Sequence, residues 1–397
     1  MNSRSAKARF TKSAALLLVG LAIVCLGHAQ GPEPSVSKEH PLLKIDLHQF
    51  GYDTSSSTKH LSKFVPSFTD STHLAIAWLT LDEPELAQKI GPAVAKPAHL
   101  HVLVIDATTG QKIGAQARPT PSTSVRFLPA RDGKFLTCTA NMLRLFSPTF
   151  EVIREKDFPA GRACKNINPW NARWGTPSRR SLLLSSRLGQ QSYEDALLDV
   201  ETFDVITKWT EKFPIDNASD HWLAASCGPK REPCIRGIDQ PWKSFQPSEM
   251  DKAITPYSFR LASFVSDDTL VMGWNRMLVT KVDGTECFHL DLPKGRSFEG
   301  TVTSTDGGRF AVIEDKQRGL TSQLLDMSAL LSNDQAVVYS IADRRAIYSV
   351  KLKGSSPWPP WATHTNQLAL SADGSLLAIL DGGDLKVYRL PDIKSAH

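Results

Sequence analysis

The stretch "LALSADGSLLAILDGGDLKVYRL" (Leu368–Leu390) contains apolar runs of strand length separated by turn residues. The runs are Leu368–Leu370, Leu376–Leu380 and Leu385–Leu390. Leu, Ile, Val and Tyr dominate them, as is typical of β-strands. Asp373-Gly374 and Asp381-Gly382-Gly383 lie between the runs. Asp-Gly is a strong hairpin signal, because both central residues of a type I′ turn need positive φ. The stretch therefore predicts a three-stranded antiparallel meander.

The same pattern recurs upstream, most clearly in "FLPARDGKFLTCTANMLRLFS" (Phe127–Ser147), "FVSDDTLVMGWNRMLVTKVDG" (Phe264–Gly284) and "VTSTDGGRFAVIED" (Val302–Asp315). One turn residue marks each of seven copies: Asp70, Asp132, Ser178, Asp220, Asp267, Asp306 and Asp373. Their spacing is mostly in the forties, with two longer gaps, which is the repeat length of a β-propeller. A four-stranded blade cannot bury its own faces, so neighbouring blades must stack around a ring. We predict an all-β, seven-bladed propeller of four-stranded antiparallel blades; the alternative is a β-sandwich with coincidental turns.

Two of these phrases, "LSADGSLLAIL" (Leu370–Leu380) and "DATTGQKI" (Asp106–Ile113), resemble the secreted bacterial WD-repeat-like (YVTN-type) β-propellers. The resemblance extends over nearly all of the chain after its N-terminal segment. It implies a ring scaffold whose function differs from member to member, and it carries over no catalytic residues.

The ends of the chain are predicted to meet. "LLKIDLHQF" (Leu42–Phe50) is an isolated strand-like run that follows a Pro- and Ser-containing linker. An open propeller would leave strand edges unpaired. We therefore expect this run to supply the fourth strand of the last blade and to close the ring.

The first residues have the pattern of a signal peptide. Four basic residues precede the apolar stretch Ala14–Leu26, and Gly27-His28-Ala29 fits a cleavage site. A membrane anchor is the alternative, but a span needs about 20 apolar residues. We predict a signal peptide over 1–29, a linker over 30–41 and a single propeller domain over 42–397, in a secreted or periplasmic protein.

Charge narrows the classes of partner. The net charge is +5, and the predicted signal peptide carries four basic residues and no acidic one, so about +1 remains. We find no basic run with interleaved aromatics and no later membrane span, and we expect no nucleic-acid partner. The predicted state is a monomer.

Five cysteines follow the predicted cleavage site. Cys227 and Cys234 bracket the polar loop "GPKREP" and are predicted to form a disulfide, because zinc would need further ligands nearby. Pairing of Cys138 with Cys164 is left open, and Cys287 is read as a buried strand residue.

Most catalytic signatures are missing from the sequence, including HExxH, the Walker loop, GxGxxG and the nucleophile elbow. His99 and His101 could form a metal pair at i, i+2, but a surface pair is the preferred interpretation. Asp381–Asp384 reads as a hairpin rather than a calcium loop. We predict no catalytic residues, no metal and no cofactor.

Aromatic and basic residues are concentrated in segments that lead from one blade into the next. The candidate ligand- or partner-binding residues are Trp170, Asn171, Arg173, Tyr257, Arg260, Trp358 and Trp361. Trp and Arg are enriched at binding hot spots, although tryptophans can instead pack between blades. We predict a binding or interaction module that uses one loop-lined face, with a protein, small-molecule or glycan ligand. The alternative is a periplasmic propeller hydrolase, lyase or dehydrogenase with a polar site at the channel mouth.

Overall fold

The computed structural model describes residues 40–52, 66–81, 98–120, 126–138, 142–157, 176–187, 192–213, 215–228, 232–245, 263–273, 276–292, 296–316, 334–352, 368–381 and 383–392. These residues belong to one compact unit, Val36–His397. Their regular structure is β-strand, apart from one 3-10 turn at Leu47–Phe50. Within these ranges, no helix has the length and apolar character needed to cross a membrane.

The described strands form seven antiparallel sheets. The chain starts with β1 (Leu43–Asp46). Sheet one holds β2 (Pro66–Phe68), β3 (His73–Leu81), β4 (Ala98–Asp106) and β5 (Lys112–Thr120). Sheet two holds β6 (Arg126–Pro129), β7 (Phe135–Cys138), β8 (Met142–Phe146) and β9 (Val152–Asp157). Sheet three, in the described residues, holds β10 (Ser181–Arg187), β11 (Tyr193–Asp199) and β12 (Val205–Glu211).

The remaining four sheets repeat this order. Sheet four holds β13 (Ile215–Ala218), β14 (Trp222–Cys227), β15 (Glu232–Gly237) and β16 (Lys243–Ser244). Sheet five holds β17 (Ser263–Phe264), β18 (Thr269–Gly273), β19 (Arg276–Lys281) and β20 (Glu286–Asp291). Sheet six holds β21 (Arg296–Thr303), β22 (Arg309–Lys316), β23 (Gln335–Ser340) and β24 (Arg345–Lys351). Sheet seven holds β25 (Leu368–Leu370), β26 (Leu376–Asp381), β27 (Asp384–Arg389) and β1.

The predicted repeat agrees with these sheets. Each of the seven marker residues lies in the turn between the first two strands of its sheet or, in sheet three, in the turn before β10. The C-terminal meander also has its three predicted strands, which are β25, β26 and β27. The prediction of a seven-bladed β-propeller is confirmed.

The turn at Asp373-Gly374 differs in detail from the type I′ turn predicted there. Gly374 has φ +68, but Asp373 is not among the residues with positive φ. Instead, Asp373 Oδ1 accepts hydrogen bonds from the hydroxyls of Ser371 (2.7 Å) and Ser375 (2.9 Å) and from the Ser375 N–H (3.1 Å). The aspartate therefore stabilises the turn with its side chain rather than with its backbone conformation.

Apolar side chains from neighbouring sheets meet at seven seams. In β3, Leu74, Ile76 and Trp78 pack against sheet seven, whereas Ala75 and Ala77 pack against sheet two. Successive strand residues point to opposite faces, so a strand buried on both faces reads as a continuous apolar run. In the described chain, one hydrophobic cluster fills each seam, including the seam between sheets seven and one.

The N-terminal strand lies at the outer edge of sheet seven. β1 pairs with β27, with Leu43 opposite Val387 and Ile45 opposite Leu385, and Ile45 packs in the seam with sheet one. The strand is shorter than the predicted Leu42–Phe50, because its last four residues form the 3-10 turn. That β1 is required to close the ring stays a prediction.

The four cysteines in the described residues lie in three environments. A disulfide joins Cys227 at the end of β14 to Cys234 in β15, with 5.9 Å between their Cα atoms. Cys138 is also disulfide-bonded. Cys287 is a free, half-buried thiol in β20 whose pKa is raised by burial.

Candidate functional site

All seven predicted binding residues lie outside the described residues, but the strands that border them are described. The outer strands β9, β16 and β24 precede these segments, and β17 and β25 follow two of them. In a sheet of four consecutive antiparallel strands, the fourth strand ends on the same side as the one on which the first strand begins. These strand ends therefore lie opposite the seven marker turns. We call the side of the propeller that carries the seven marker turns the turn face. The opposite side, where the fourth strand of a sheet ends and the first strand begins, is the loop face.

Neighbouring turns of the turn face contact one another at every seam. Arg131 Nε of the second turn donates to Ser178 O of the third at 3.0 Å. The hydroxyl of Ser181, which starts β10, donates a hydrogen bond to Asp220 Oδ1 of the fourth turn at 3.3 Å. Asp70 Oδ2 of the first turn lies beside Gly133 of the second, 3.5 Å from the position of a Cβ there.

The contacts continue around the other half of the turn face. His221 of sheet four is bonded to Asp267 of the fifth turn, with 2.6 Å between Nδ1 and Oδ2. Gly307 packs against Val265 and Ser266 so closely that a Cβ would lie 2.8 Å from the Ser266 Cβ. The Thr305 N–H donates to Ala372 O at 2.9 Å, and the Ala372 N–H is 3.4 Å from Asp70 O. We call the seven turns and these contacts the turn ring.

Arg179 adds a contact that crosses the turn ring. It lies in the third turn, yet its Nη1 donates to Phe68 O (2.7 Å) and Thr69 O (3.4 Å) of sheet one. The residue as a whole is half-buried, and its guanidinium is largely buried. Burial lowers the pKa of Arg179 to about 10, partly opposed by the charge of Asp70, so the group stays protonated at neutral pH.

Two histidines of the turn face are held by carboxylates. Burial acts to raise the pKa of Asp70, but hydrogen bonds from the backbone and ring of His73 and from the Thr72 N–H lower it. His73 Nδ1 lies 2.6 Å from Asp70 Oδ2. The hydrogen bond to Asp267 raises the pKa of His221. The pairs His73–Asp70 and His221–Asp267 thus use polar atoms of the turn ring in hydrogen bonds within the protein.

The loop face carries an aromatic cluster at the seam between sheets seven and one. We call His48, Tyr52, Trp78 and His101 the seam cluster. The rings of Trp78 and His101 are stacked, 5.3 Å apart and 9° from parallel, and Tyr52 meets Trp78 edge-on at 6.2 Å. Trp78 lies three residues before the end of β3, opposite His101 in β4. The sequence gives no signal for Trp78 as a site residue, because Trp78 lies inside an apolar strand pattern.

The charge state of the seam cluster follows from its burial. Burial lowers the pKa of His101, and the nearby His99 lowers it further. Burial also raises the pKa of Tyr52 to about 12. Both side chains are therefore uncharged at neutral pH. Among the described residues, no group of three or more His, Cys, Asp or Glu side chains is placed to hold a metal ion.

A second aromatic group joins sheets three and four. Arg236 lies between two indoles, with its guanidinium carbon 5.2 Å from the Trp209 ring and 4.7 Å from the Trp242 ring. Its Nη1 is 3.2 Å from Glu211 Oε1, which also accepts the Trp242 indole N–H at 3.0 Å. Arg236 is only 9% exposed. The spacing of these residues in the sequence gave no signal for the group, because strand pairing brings them together.

Comparisons with known proteins give matches among solved structures alone. No family model matches the sequence, and no curated protein matches it. A solved structure titled "Crystal Structure of Mitotic Checkpoint Complex" is 14% identical at a TM-score of 0.47, covering 91% of this chain and 98% of that chain. The β-propeller domain of Myceliophteria thermophila Cps50 (Swd1) is 12% identical at a TM-score of 0.34, covering 67% and 96%. The propeller assignment rests on the seven sheets described above, and membership in the secreted bacterial family stays a prediction.

Proposed function

We propose that the chain is a secreted or periplasmic binding module that recognises its partner with the loop face. The binding residues are those predicted from the sequence: Trp170, Asn171, Arg173, Tyr257, Arg260, Trp358 and Trp361. A few residues provide most of the binding energy in protein interfaces, and Trp, Tyr and Arg are enriched among them.

The observation that supports this proposal is the difference between the two faces. On the turn face, Arg131, Ser181 and His221 bond neighbouring turns to each other. These contacts use polar atoms of the turn face in bonds between neighbouring sheets. The loop face is the side of the propeller on which the Trp- and Arg-bearing segments connect to the strands.

The proposal is tested with the chain from residue 30 onward as bait for the native envelope fraction. A captured protein or ligand is identified by mass spectrometry, purified, and its Kd measured against Trp361→Ala. We expect Kd to rise at least fivefold, which corresponds to about 1 kcal/mol. The turn-face variant Asp132→Asn is the matched control and should bind like the wild type.

Two outcomes would contradict the proposal. Trp361→Ala could lower stability by about 3–5 kcal/mol, as for a buried aromatic, while its folded fraction binds normally. Alternatively, Asp132→Asn could weaken binding more than Trp361→Ala does. The first result would make the tryptophan structural, and the second would move the site to the turn face.

A further inference from the structure

The large apolar side chains that are exposed in the described chain all lie on the rim of the propeller. They are Leu42, Ile113, Val152, Ile153, Val205 and Ile206, with exposed fractions of 40–53%. Each lies at or just before the start of the outermost strand of its sheet, on the turn-face side. The sheets are seven, one, two and three, which follow one another around the ring. We call this arc of six side chains the rim belt.

The same strand position is polar or small in the other three sheets. Their outer strands start with Lys243-Ser244 in sheet four, Glu286-Cys287 in sheet five and Arg345-Ala346 in sheet six. The fold therefore does not require a large aliphatic residue there, and edge strands commonly carry charged residues that prevent pairing with other chains. Single exposed apolar residues need no explanation, but a contiguous row of them marks an interaction surface.

A β-bulge in each outer strand carries three of the exposed side chains. In sheets one, two and three the strand register shifts by one residue, and the extra residue is Ile113, Ile153 or Ile206. Sheets five and six have the same bulge, but their extra residues, Cys287 and Ile347, pack against hydrophobic clusters. The bulge alone therefore does not account for the exposed isoleucines.

Contacts between neighbouring sheets make the rim belt continuous. Leu43 of sheet seven packs so closely on the turn before β5 that a Cβ at Gly110 would lie 2.7 Å from its Cδ1. Gly114 of β5 packs against the Phe150 ring in the turn before β9. Lys156 of β9 donates to a backbone carbonyl in the turn before β12. Residues close to the exposed side chains thus meet from one sheet to the next.

The shape of the rim belt restricts its occupant. The belt follows a convex arc over four of the seven sheets. A second copy of the ring has a convex rim of its own, so two rims would meet over only a small part of this arc. A lipid bilayer is flat and has the same limit. An extended segment of polypeptide can follow a curved surface.

The polar groups of the rim also favour a polypeptide. The strands β1, β5, β9 and β12 each have one edge without a neighbouring strand in the described chain. Such an edge presents N–H donors and C=O acceptors, and a peptide backbone offers both kinds of partner. Exposed charges of both signs lie along the belt, namely Lys112, Arg154, Glu151 and Asp204, so a strongly charged segment is not favoured.

We infer that the rim belt binds an extended, aliphatic-rich segment of a partner protein, which crosses the turn-face ends of the outer strands of sheets seven, one, two and three. The apolar side chains of the segment pack on Ile113, Ile153 and Ile206, and its backbone bonds to the strand edges. This surface is distinct from the loop face and does not depend on the function proposed for it.

The test places the photo-cross-linker benzoylphenylalanine at Ile113, Ile153 or Ile206, one site in each variant, in the full chain produced in its native host. Lys243 and Arg345, at the same strand position in sheets four and six, are the control sites. Mass spectrometry identifies the linked peptides after irradiation. We expect the three belt sites to link to one segment of a single protein, at points that follow the order of the sheets along the arc.

A synthetic peptide with the sequence of that segment then serves as the probe for the chain from residue 30 onward. Ile153→Ser combined with Ile206→Ser should raise its Kd at least about tenfold, because two apolar contacts are lost. The melting temperature should not change, since both side chains are exposed. Lys243→Ser combined with Arg345→Ser is the matched control and should bind like the wild type.

Four results would overturn the inference. Links from the belt sites to a second copy of the chain would show an interface between copies, and links to lipid would show a membrane contact. Links no more frequent than those at the control sites, or equal affinity of the two double variants for the peptide, would show that no segment packs on the belt. These variants leave the loop face unchanged, so the Trp361→Ala binding test fails or succeeds separately.

Discussion

The guanidinium of Arg179 donates to the backbone carbonyl of Phe68 at 2.7 Å, joining sheet three to sheet one past the intervening sheet two. Arg179 has φ +59. In the sixth and seventh turns, the residue whose N–H closes the same turn is a glycine, Gly307 or Gly374, with φ +70 or +68. A side chain at positive φ costs about 1 kcal/mol relative to glycine, so the arginine is tolerated because its side chain makes the cross-ring bond.

Two substitutions separate the backbone strain from the bond. Arg179→Ala removes the hydrogen bonds to Phe68 O and Thr69 O but keeps the unfavourable φ. We expect a loss of about 2–3 kcal/mol in the free energy of unfolding, as for hydrogen bonds to a charged group. Arg179→Gly loses the same bonds and relieves the strain, so it should be about 1 kcal/mol more stable than the alanine variant. Urea denaturation measures both values.

The neighbouring exposed residue supplies the control for these two variants. Arg180→Ala should change the free energy of unfolding by less than about 0.5 kcal/mol, as is usual for surface positions. If Arg179→Ala is no less stable than Arg180→Ala, the cross-ring bond does not stabilise the ring.

The sequence predicted the repeat because the turn chemistry and the apolar strands are local signals. Asp-Gly pairs followed by apolar runs mark sheets six and seven so clearly that their turns could be placed to the residue. Contacts that depend on pairing between distant strands gave no such signal. Arg179 reads as a surface arginine in the sequence, and Arg236 lies in a hairpin far along the chain from Trp209. The predicted binding residues lie outside the described ranges, so they stay predictions.

Ring closure by β1 can be tested with two truncations. Deleting Leu42–Phe50 removes the strand that pairs with β27 and the side chains of Ile45 and Leu47 from the last seam. We expect aggregation or a large loss of thermal stability, because the edge of β27 becomes unpaired. Deleting Gln30–His40 should leave the melting temperature unchanged, since that linker is polar in sequence. Equal, wild-type melting of both truncations would contradict closure by β1.

The pair of His221 and Asp267 should make the seam between sheets four and five sensitive to pH. The bond to Asp267 raises the pKa of His221 above its ordinary 6.5. Protonated His221 thus favours the folded state below about 6.5, and this contribution is lost as the pH rises through the raised folded pKa. Both side chains are well exposed, so we expect an effect of no more than about 1 kcal/mol.

The measurement for this pair is the free energy of unfolding of the wild type and His221→Gln at pH 5.5 and pH 8.5. The variant should be less stable than the wild type at the lower pH, and the gap should shrink at the higher pH. A gap that grows with pH would show that the charged pair does not stabilise the seam.

The disulfide between Cys227 and Cys234 should form in protein recovered from an oxidising compartment. The loop that it closes is short, so its loss should cost only about 2 kcal/mol. Peptide mapping without reduction detects the linked peptides, and the double Cys→Ser variant should remain folded with a lower melting temperature. Recovery of both cysteines as free thiols in normally folded protein would reject the pairing.

The buried charge of Arg236 gives the last prediction. Glu211 Oε1 is bonded to Arg236 and to the Trp242 indole, and its side chain is 18% exposed. Arg236→Met keeps apolar volume between the two indoles but leaves Glu211 without its cation. We expect a loss of about 3–5 kcal/mol in the free energy of unfolding, as for an uncompensated buried charge.

Neutralising the carboxylate in the same background decides whether charge is the cause. Arg236→Met combined with Glu211→Gln should be more stable than Arg236→Met alone, because the amide can still accept the Trp242 N–H while no unpaired charge remains. Arg236→Lys tests the geometry, since an ammonium cannot lie flat between Trp209 and Trp242 as the planar guanidinium does. We expect Arg236→Lys to fall between the wild type and Arg236→Met in urea denaturation. The free energy of unfolding of Glu211→Gln alone completes the comparison. If the double variant loses as much of this free energy as Arg236→Met and Glu211→Gln lose together, the ion pair contributes nothing. Packing of the arginine between the indoles would then account for its stabilising effect.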